Sequence, residues 1–294
     1  MKRPTSVSLN YTGIVLAIDG DNTLWDTNSM FEDAQRWLIS SLHRARPRDS
    51  TTLSFELLRR VDDLLIQHTG RQEYDFQLLV LALISLQKGM TETEAASAAM
   101  REIQESPNGV DAKLAAKISR AFYLRLQTIP PLLPSVRRSL EELSRLKTCN
   151  RGRLALILLS EGNEVRIRSI LKSHFSRKTI FDVFHIVERK SEDALLDAQV
   201  RGSRVLESES GCSQIQTQLV VVGDNIASDI VPGNSVGAIT IYIAGGYKGA
   251  EVPANDRERP RIVITGFREL PELIEDILAN PANTVLLKNL GSTG

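Results

Sequence analysis

The sequence predicts an α/β protein: a parallel sheet covered by helices on both sides, with a large all-helical block inserted after the first strand. Three observations carry this prediction. Short aliphatic runs at 13–18 and 154–159 lack polar alternation, as strands buried on both faces do. After Pro130 and Pro131, strand-like and helix-like periods alternate, the mark of βα units. Between Asn28 and Thr128, about a hundred residues carry helical spacing and no strand pattern.

Each element follows from its own period. The run at 13–18 ends on Asp19-Gly20-Asp21-Asn22-Thr23, so a strand delivers carboxylates to its C-terminal end. Phe31, Ala34, Leu38 and Leu42 fall on one helical face, as do Leu53, Leu57, Val61 and Leu65 ahead of Gly70, a C′ glycine. Residues 75–88 are apolar almost all round, the pattern of a central buried helix. Thr91 with Glu94 spells a capping box, and Pro107-Asn108-Gly109 a turn before a helix carrying Leu114, Ile118 and Phe122.

Beyond residue 130 come a helix with Val136, Leu140 and Leu143, the strand at 154–159 ending at Ser160, and a helix through Val165 and Ile170 to His174. A strand at 181–187 precedes Lys190, and a helix follows at 192–200. Strands at 218–222, 238–243 and 262–264, a helical turn from Ile226 and a helix at 270–278 complete the domain. The Ser-, Gly- and Gln-rich stretch 202–217 reads as a surface excursion. The expected division is a core of 1–26 and 131–280, a helical domain of 27–130 and a mobile tail of 281–294.

Composition narrows the function. The 294 residues are 42% hydrophobic and 24% charged, which is globular rather than disordered. The 36 basic residues balance the 36 acidic ones, so no global field favours nucleic acid or an anionic membrane. Cys149 and Cys212 stand far apart without metal or redox spacing and read as small buried apolar residues of a reducing compartment. No apolar run approaches the ~20 residues of a membrane helix. The opening Met1-Lys2-Arg3-Pro4 leads into polar residues rather than the apolar stretch of a secretory signal, and the expected location is the cytoplasm.

Polar residues gather where the apolar strands stop: Asp19 and Asp21, Ser160, Lys190, then Asp224 and Asp229. Ligands of open parallel sheets bind outside the carboxyl ends of the strands, so four segments converge on one crevice. Asp19, Asp21 and Asp224 crowded there repel one another unless a cation joins them, and hard oxygen donors without His or Cys suit Mg²⁺ rather than zinc. A cation together with Lys190 accepts a further anion. A phosphoryl group fits, with Lys190 and the Ser160 hydroxyl on its oxygens and Asp19 free to attack phosphorus in line. At i and i+2, Asp21 can reach the leaving-group oxygen as acid and later serve as base. Gly20 permits a tight backbone, and Thr23 can hydrogen-bond to stiffen the turn.

The segments Asp19-Gly20-Asp21-Asn22-Thr23-Leu24, 154–160 with Ser160, Lys190, and Val221-Val222-Gly223-Asp224-Asn225-Ile226-Ala227-Ser228-Asp229 resemble, in order, the four motifs of the haloacid dehalogenase (HAD) superfamily. The resemblance covers 13–26 and about 131–245. It implies a Rossmann-like three-layer core, Asp19 as nucleophile, Asp21 as acid/base, and Mg²⁺ on Asp19, the Asp21 carbonyl and Asp224. Asp229 would be a ligand through water or a partner of a ligand. The helical insertion between the first two motifs resembles a C1-type cap, which in this superfamily closes over the crevice and favours small substrates.

The activity so implied is Mg²⁺-dependent hydrolysis of a small organic phosphomonoester through an aspartyl-phosphate. The alternatives are a phosphatase or phosphotransferase acting on nucleic-acid ends or a phosphoprotein, and a catalytically silent module that binds phosphate or a partner. Substrate identity and oligomeric state are not legible.

Plainer readings stand beside these. Asp19 and Asp21 also suit a solvated turn, Ser160 a strand-end cap and Asp229 a helix cap, while Arg189 competes with Lys190. Asn225 and Ser228 satisfy backbone groups in their loop. Arg166 and Arg168 read as a solvated helix face, and His43, His68, His174 and His185 as structural. Trp25 and Trp37 read as packing, and the glycines at 245, 246 and 249 as a loop.

Overall fold

The computed structural model describes residues 12–46, 51–70, 74–175, 180–213, 215–244 and 251–279. The expected mobile tail 281–294 and the loop glycines 245, 246 and 249 lie outside them. In chain order the elements are β1 (Thr12–Ile18), α1 (Thr27–Ala45), α2 (Phe55–Thr69), α3 (Phe76–Gln87), α4 (Glu92–Glu105) and α5 (Val110–Leu126). Then follow α6 (Val136–Cys149), β2 (Leu154–Ser160), α7 (Glu164–Phe175), β3 (Val183–Ile186) and α8 (Glu192–Ser210). After β4 (Gln216–Gly223) a π-helical turn, Ile226–Ile230, runs into α9 (Val231–Ser235), followed by β5 (Ile239–Ile243), β6 (Ile262–Ile264) and α10 (Leu270–Ala279). No helix among the described residues is long and apolar enough to cross a membrane.

The chain separates into two compact units, residues 1–28 with 129–294, and residues 29–128. The first holds a six-stranded sheet in the order β3-β2-β1-β4-β5-β6, parallel throughout. The central strands β1 and β2 bury both faces, which is why they lack alternation. Ile14, Leu16 and Ile18 of β1 pack with Leu154, Leu156 and Leu158 against α6, α7 and α10. Val15 and Ala17 pack with Ala155, Ile157 and Leu159 against Leu195, Ala198 and Leu206 of α8. The period of two thus splits each strand between two cores, giving the three-layer α/β architecture of a Rossmann-like fold.

The second unit is built of helices around α3, whose residues Leu79–Ile84 are all buried. Its helices start and stop where local chemistry directs. Ser54 and Asp75 cap α2 and α3, Thr91 and Glu94 form a reciprocal capping box, and Gly70 closes α2 at φ 63°.

Two expectations are corrected. Residues 202–217 are not a surface excursion, because α8 continues to Ser210, Gly211 closes it at φ 73°, and β4 begins at Gln216. Helical spacing runs on through Ala198, Gly202 and Leu206, all buried. Gly202 lets α8 lie close on the sheet, since a Cβ there would stand 2.5 Å from a methyl of Val15 and 3.1 Å from Ile157. Cys149 and Cys212 are exposed rather than buried, because each sits at a helix end, where the core-facing stripe has run out.

Candidate active site

Register builds the site. Ile18 pairs with Val222 on one side and Leu158 on the other, and the amide of Asp19 donates to the Val222 carbonyl at 2.9 Å. Asp19 and Asp224 therefore leave adjacent central strands at the same height. The turn after β1 is tight: the Leu24 amide donates to the Gly20 carbonyl at 2.8 Å, and Asn22 takes the left-handed region at φ 58°. Asn tolerates that conformation better than most residues, and its Oδ1 accepts from the Asn28 amide at 2.9 Å.

A buried ammonium holds the acidic cluster. Lys190 Nζ lies 2.5 Å from Asp19 Oδ1 and 2.6 Å from Asp229 Oδ1. Thr23 Oγ1 donates to Asp19 Oδ2 at 3.0 Å and approaches Asp224 Oδ1 at 3.4 Å. One oxygen from each of Asp19, Asp224 and Asp229 lies within 4.8 Å of the others. Burial pushes the Asp19 carboxyl well above the usual carboxylate range, and Asp229 and Asp224 add to this while Lys190 opposes it. Burial followed by Asp229 raises Asp224 to about 7. Burial works against the charge on Lys190, yet Asp19 and Asp229 overcome it and hold its pKa above the ordinary value.

This donor set fits a hard divalent cation. It offers carboxylate oxygens with no His or Cys, and three carboxylates against one ammonium leave two formal negative charges in a desolvated place.

Asp19, Thr23, Lys190, Asp224 and Asp229 thus form one connected group. Lys190 is buried and Arg189 exposed, which separates those two candidates. Asp229 does not cap the following turn. Asn225 does, accepting from the Ser228 amide at 3.0 Å, while Asp229 Oδ2 accepts from the Asn225 amide at 3.1 Å.

Asp21 points elsewhere. Its Oδ1 accepts from Trp25 Nε1 at 3.0 Å, from the Thr27 hydroxyl, and from Arg166 Nη1 at 3.5 Å. Ser160 is buried at the end of β2, and its Oγ accepts from the Gly162 amide at 3.2 Å. A Cβ placed on Gly162 would stand 3.4 Å from both Ser160 Oγ and Asp21 Oδ2, so the two side chains face the same loop.

Four participants were missed from the sequence. Trp25 and Thr27 carry donors within six residues of Asp21, a signal that an inventory of nearby donors would catch. Glu161 accepts from the Lys190 amide at 2.6 Å, with no local sign of it. Arg166 is corrected from solvated face to site neighbour: its side chain is 18% exposed, whereas Arg168 pairs with Glu164 on the surface. The four histidines are structural, each hydrogen-bonded to main chain.

The chain thus combines a Rossmann-like core with a carboxylate and lysine cluster at the carboxyl ends of its central strands. Residues 189–270, which include Lys190, Asp224 and Asp229, match the HAD-hydrolase-like family model. No curated protein matches the chain.

Among solved structures, a haloacid dehalogenase-like family hydrolase from Xanthomonas campestris is similar at TM-score 0.52 and 18% identity, over 91% of this chain and 97% of that one. The putative HAD-hydrolase YfnB from Bacillus subtilis, bound to magnesium, aligns at TM-score 0.51 and 14% identity, over 90% and 99%. A 2-haloacid dehalogenase from Pseudomonas syringae pv. Tomato DC3000 aligns at TM-score 0.50 and 20% identity, over 90% and 99%. At these identities the likeness is one of fold.

Proposed function

We propose that the protein is a Mg²⁺-dependent phosphohydrolase that cleaves a small organic phosphomonoester through an aspartyl-phosphate on Asp19. The observation that carries this reading is the cluster in which Lys190 bridges Asp19 and Asp229 while Asp224 stands within 4.8 Å. It combines a nucleophile, a cation site and a fixed positive charge for an incoming anion.

Asp19 and Asp224, with the main-chain carbonyl of Asp21, are the residues that would hold the metal, which when bound neutralises negative charge on the phosphoryl oxygens. A carboxylate oxygen of Asp19 attacks phosphorus. As its bond to phosphorus forms, the bond from phosphorus to the leaving alcohol breaks, and Asp21 donates a proton to that alcohol oxygen. Asp21 then takes a proton from water. The water oxygen bonds to phosphorus, the bond to Asp19 breaks, and inorganic phosphate leaves with Asp19 restored. Lys190 and the Ser160 hydroxyl bind the other phosphoryl oxygens.

The 2-haloacid dehalogenase from Pseudomonas syringae shares the fold, so carbon–halogen cleavage is the reading to exclude. A halide departs without a proton, and such chemistry has no use for an acid at Asp21 or for a second carboxylate strand at Asp224. The test is Mg²⁺-dependent phosphate release from p-nitrophenyl phosphate and from a panel of phosphorylated metabolites, abolished in Asp19→Asn. Dehalogenation that survives full chelation would overturn the proposal. A folded protein inert across the panel would instead be a binding module, and preference for oligonucleotide ends at physiological salt would move the substrate to nucleic acid.

A further inference from the structure

We propose that Trp25 is a positioning residue for Asp21: its indole N–H, with the Thr27 hydroxyl, fastens one carboxylate oxygen so that the other faces the loop carrying Ser160. This rests on the phosphatase reading, in which Asp21 is the acid. Trp25 is wholly buried, so its ring has no freedom to turn away.

Two independent observations tie that ring to the turn. The indole Nε1 donates to Asp21 Oδ1 at 3.0 Å. The ring also lies flush against Gly20, where a Cβ would stand 2.6 Å from Cζ2 and 2.9 Å from Cη2. The backbone closes the same unit, since the Asn22 amide donates to the Trp25 carbonyl at 2.8 Å and the Leu133 amide to the Leu24 carbonyl at 3.0 Å. The indole is thus anchored between the two aspartates of the turn.

The donors are one-sided. Trp25, Thr27 and Arg166 all address Oδ1, whereas Oδ2 lies toward Gly162, whose flank it shares with Ser160 Oγ. A free Asp side chain samples rotations about its terminal bond broadly. Two donors on one oxygen remove that freedom and aim the second oxygen at the place where a phosphoryl group held by Ser160 would shed its alcohol. An aromatic used only for packing would present a carbon edge here. The nitrogen makes the difference.

The consequence is selective. Protonation matters for an alkoxide leaving group and hardly at all for p-nitrophenolate, which leaves unaided. In the full-length protein, Trp25→Phe keeps the ring's bulk and removes the donor. It is expected to lower kcat/KM on an alkyl phosphomonoester by about 10-fold, a part of the 10²–10⁴ that general acid catalysis contributes. On p-nitrophenyl phosphate kcat/KM should change by less than about 3-fold. This ratio reports steps only through loss of the leaving group and excludes the later attack of water, in which Asp21 serves as base for both substrates. Thr27→Val should show the same split, and Thr27→Ser should restore most of the alkyl rate.

If Trp25→Phe fails to fold, the ¹⁵N-labelled indole resonance of wild type reads the contact directly. Trp25 and Trp37 are the chain's two tryptophans, and only the Trp25 signal should move in Asp21→Ala. Equal losses of kcat/KM on both substrates, no loss on either, or an unmoved indole signal overturn the inference while the phosphatase reading stands. A wild-type protein that turns over neither substrate overturns that reading, and this inference with it.

Discussion

The carboxylate of Asp229 occupies the space in which a side chain on Gly223 would begin. A Cβ at Gly223 would lie 2.1 Å from Asp229 Oδ2 and 2.7 Å from Asp229 Cβ. Asp229 is buried and held by Lys190 and the Asn225 amide, so it has nowhere to retreat. The glycine that ends β4 is thus required by the residue six positions on, for space rather than for backbone conformation.

Gly223→Ala should accordingly cost about 1–3 kcal/mol, the range for overpacking a close-packed site. Because the displaced carboxylate is one of two that hold Lys190, phosphate release should fall in the same variant by at least about 10-fold, the loss equivalent to 1.4 kcal/mol in the transition state. Urea unfolding and the rate measured together check this, and wild-type values in both would contradict it.

The two formal negative charges left on the cluster predict a cation-dependent stability. Thermal unfolding should shift upward with Mg²⁺ and not with Na⁺ at equal ionic strength, reaching about 2.7 kcal/mol when free Mg²⁺ is a hundred times its Kd. Asp224→Asn removes a proposed ligand and should abolish most of the shift. A Mg²⁺ response unchanged in Asp224→Asn would place the ion elsewhere.

Gly202 separates stability from activity. Its missing side chain lets α8 rest on Val15 and Ile157, on the sheet face opposite α6 and α7. Gly202→Val should destabilise by about 1–3 kcal/mol through overpacking, more than any gain in helix propensity returns. At a temperature where the variant remains folded, KM and kcat should stay near wild type. A variant at least as stable as wild type would show that α8 shifts freely on the sheet.

His185 supplies a pH dependence. Burial, with Arg201 next, lowers its pKa in the folded state, while Asp197 and the Ala194 carbonyl oppose the shift. The unfolded chain therefore binds the proton more readily. The contribution is complete above the unfolded value of about 6.5 and is lost as pH falls through the lower folded value. Wild type should lose stability relative to His185→Asn between pH 7 and pH 5, as read by parallel urea titrations. A difference that stays constant over that range would refute the assignment.

Much of this is legible in the amino-acid sequence. Strand ends at residues 18, 160 and 223, the capping box at Thr91 and Glu94, and Gly70 as a helix stop were readable because each is written in neighbouring residues. The meeting of Asp19, Lys190 and Asp224 followed from one topological rule, that side chains at the carboxyl ends of parallel strands share a crevice. The helical extent of 202–210 was misread because Ser and Gly suggest a loop in isolation. Only Val15 across the interface explains why a glycine belongs there.

Hydrophobic period and the placement of polar residues after apolar runs were sufficient for the α/β class, the helical insertion and the convergence of Asp19 with Asp224, whereas the third carboxylate of the cluster is that of Asp229 and not, as the sequence suggests, that of Asp21. The facing of the Asp21 oxygens, the crowding of Gly223 by Asp229 and the inward turn of Arg166 came only with the folded chain. Such relations depend on packing that brings separate side chains within about 3 Å, the reach of a hydrogen bond, and no local pattern encodes a distance of that kind.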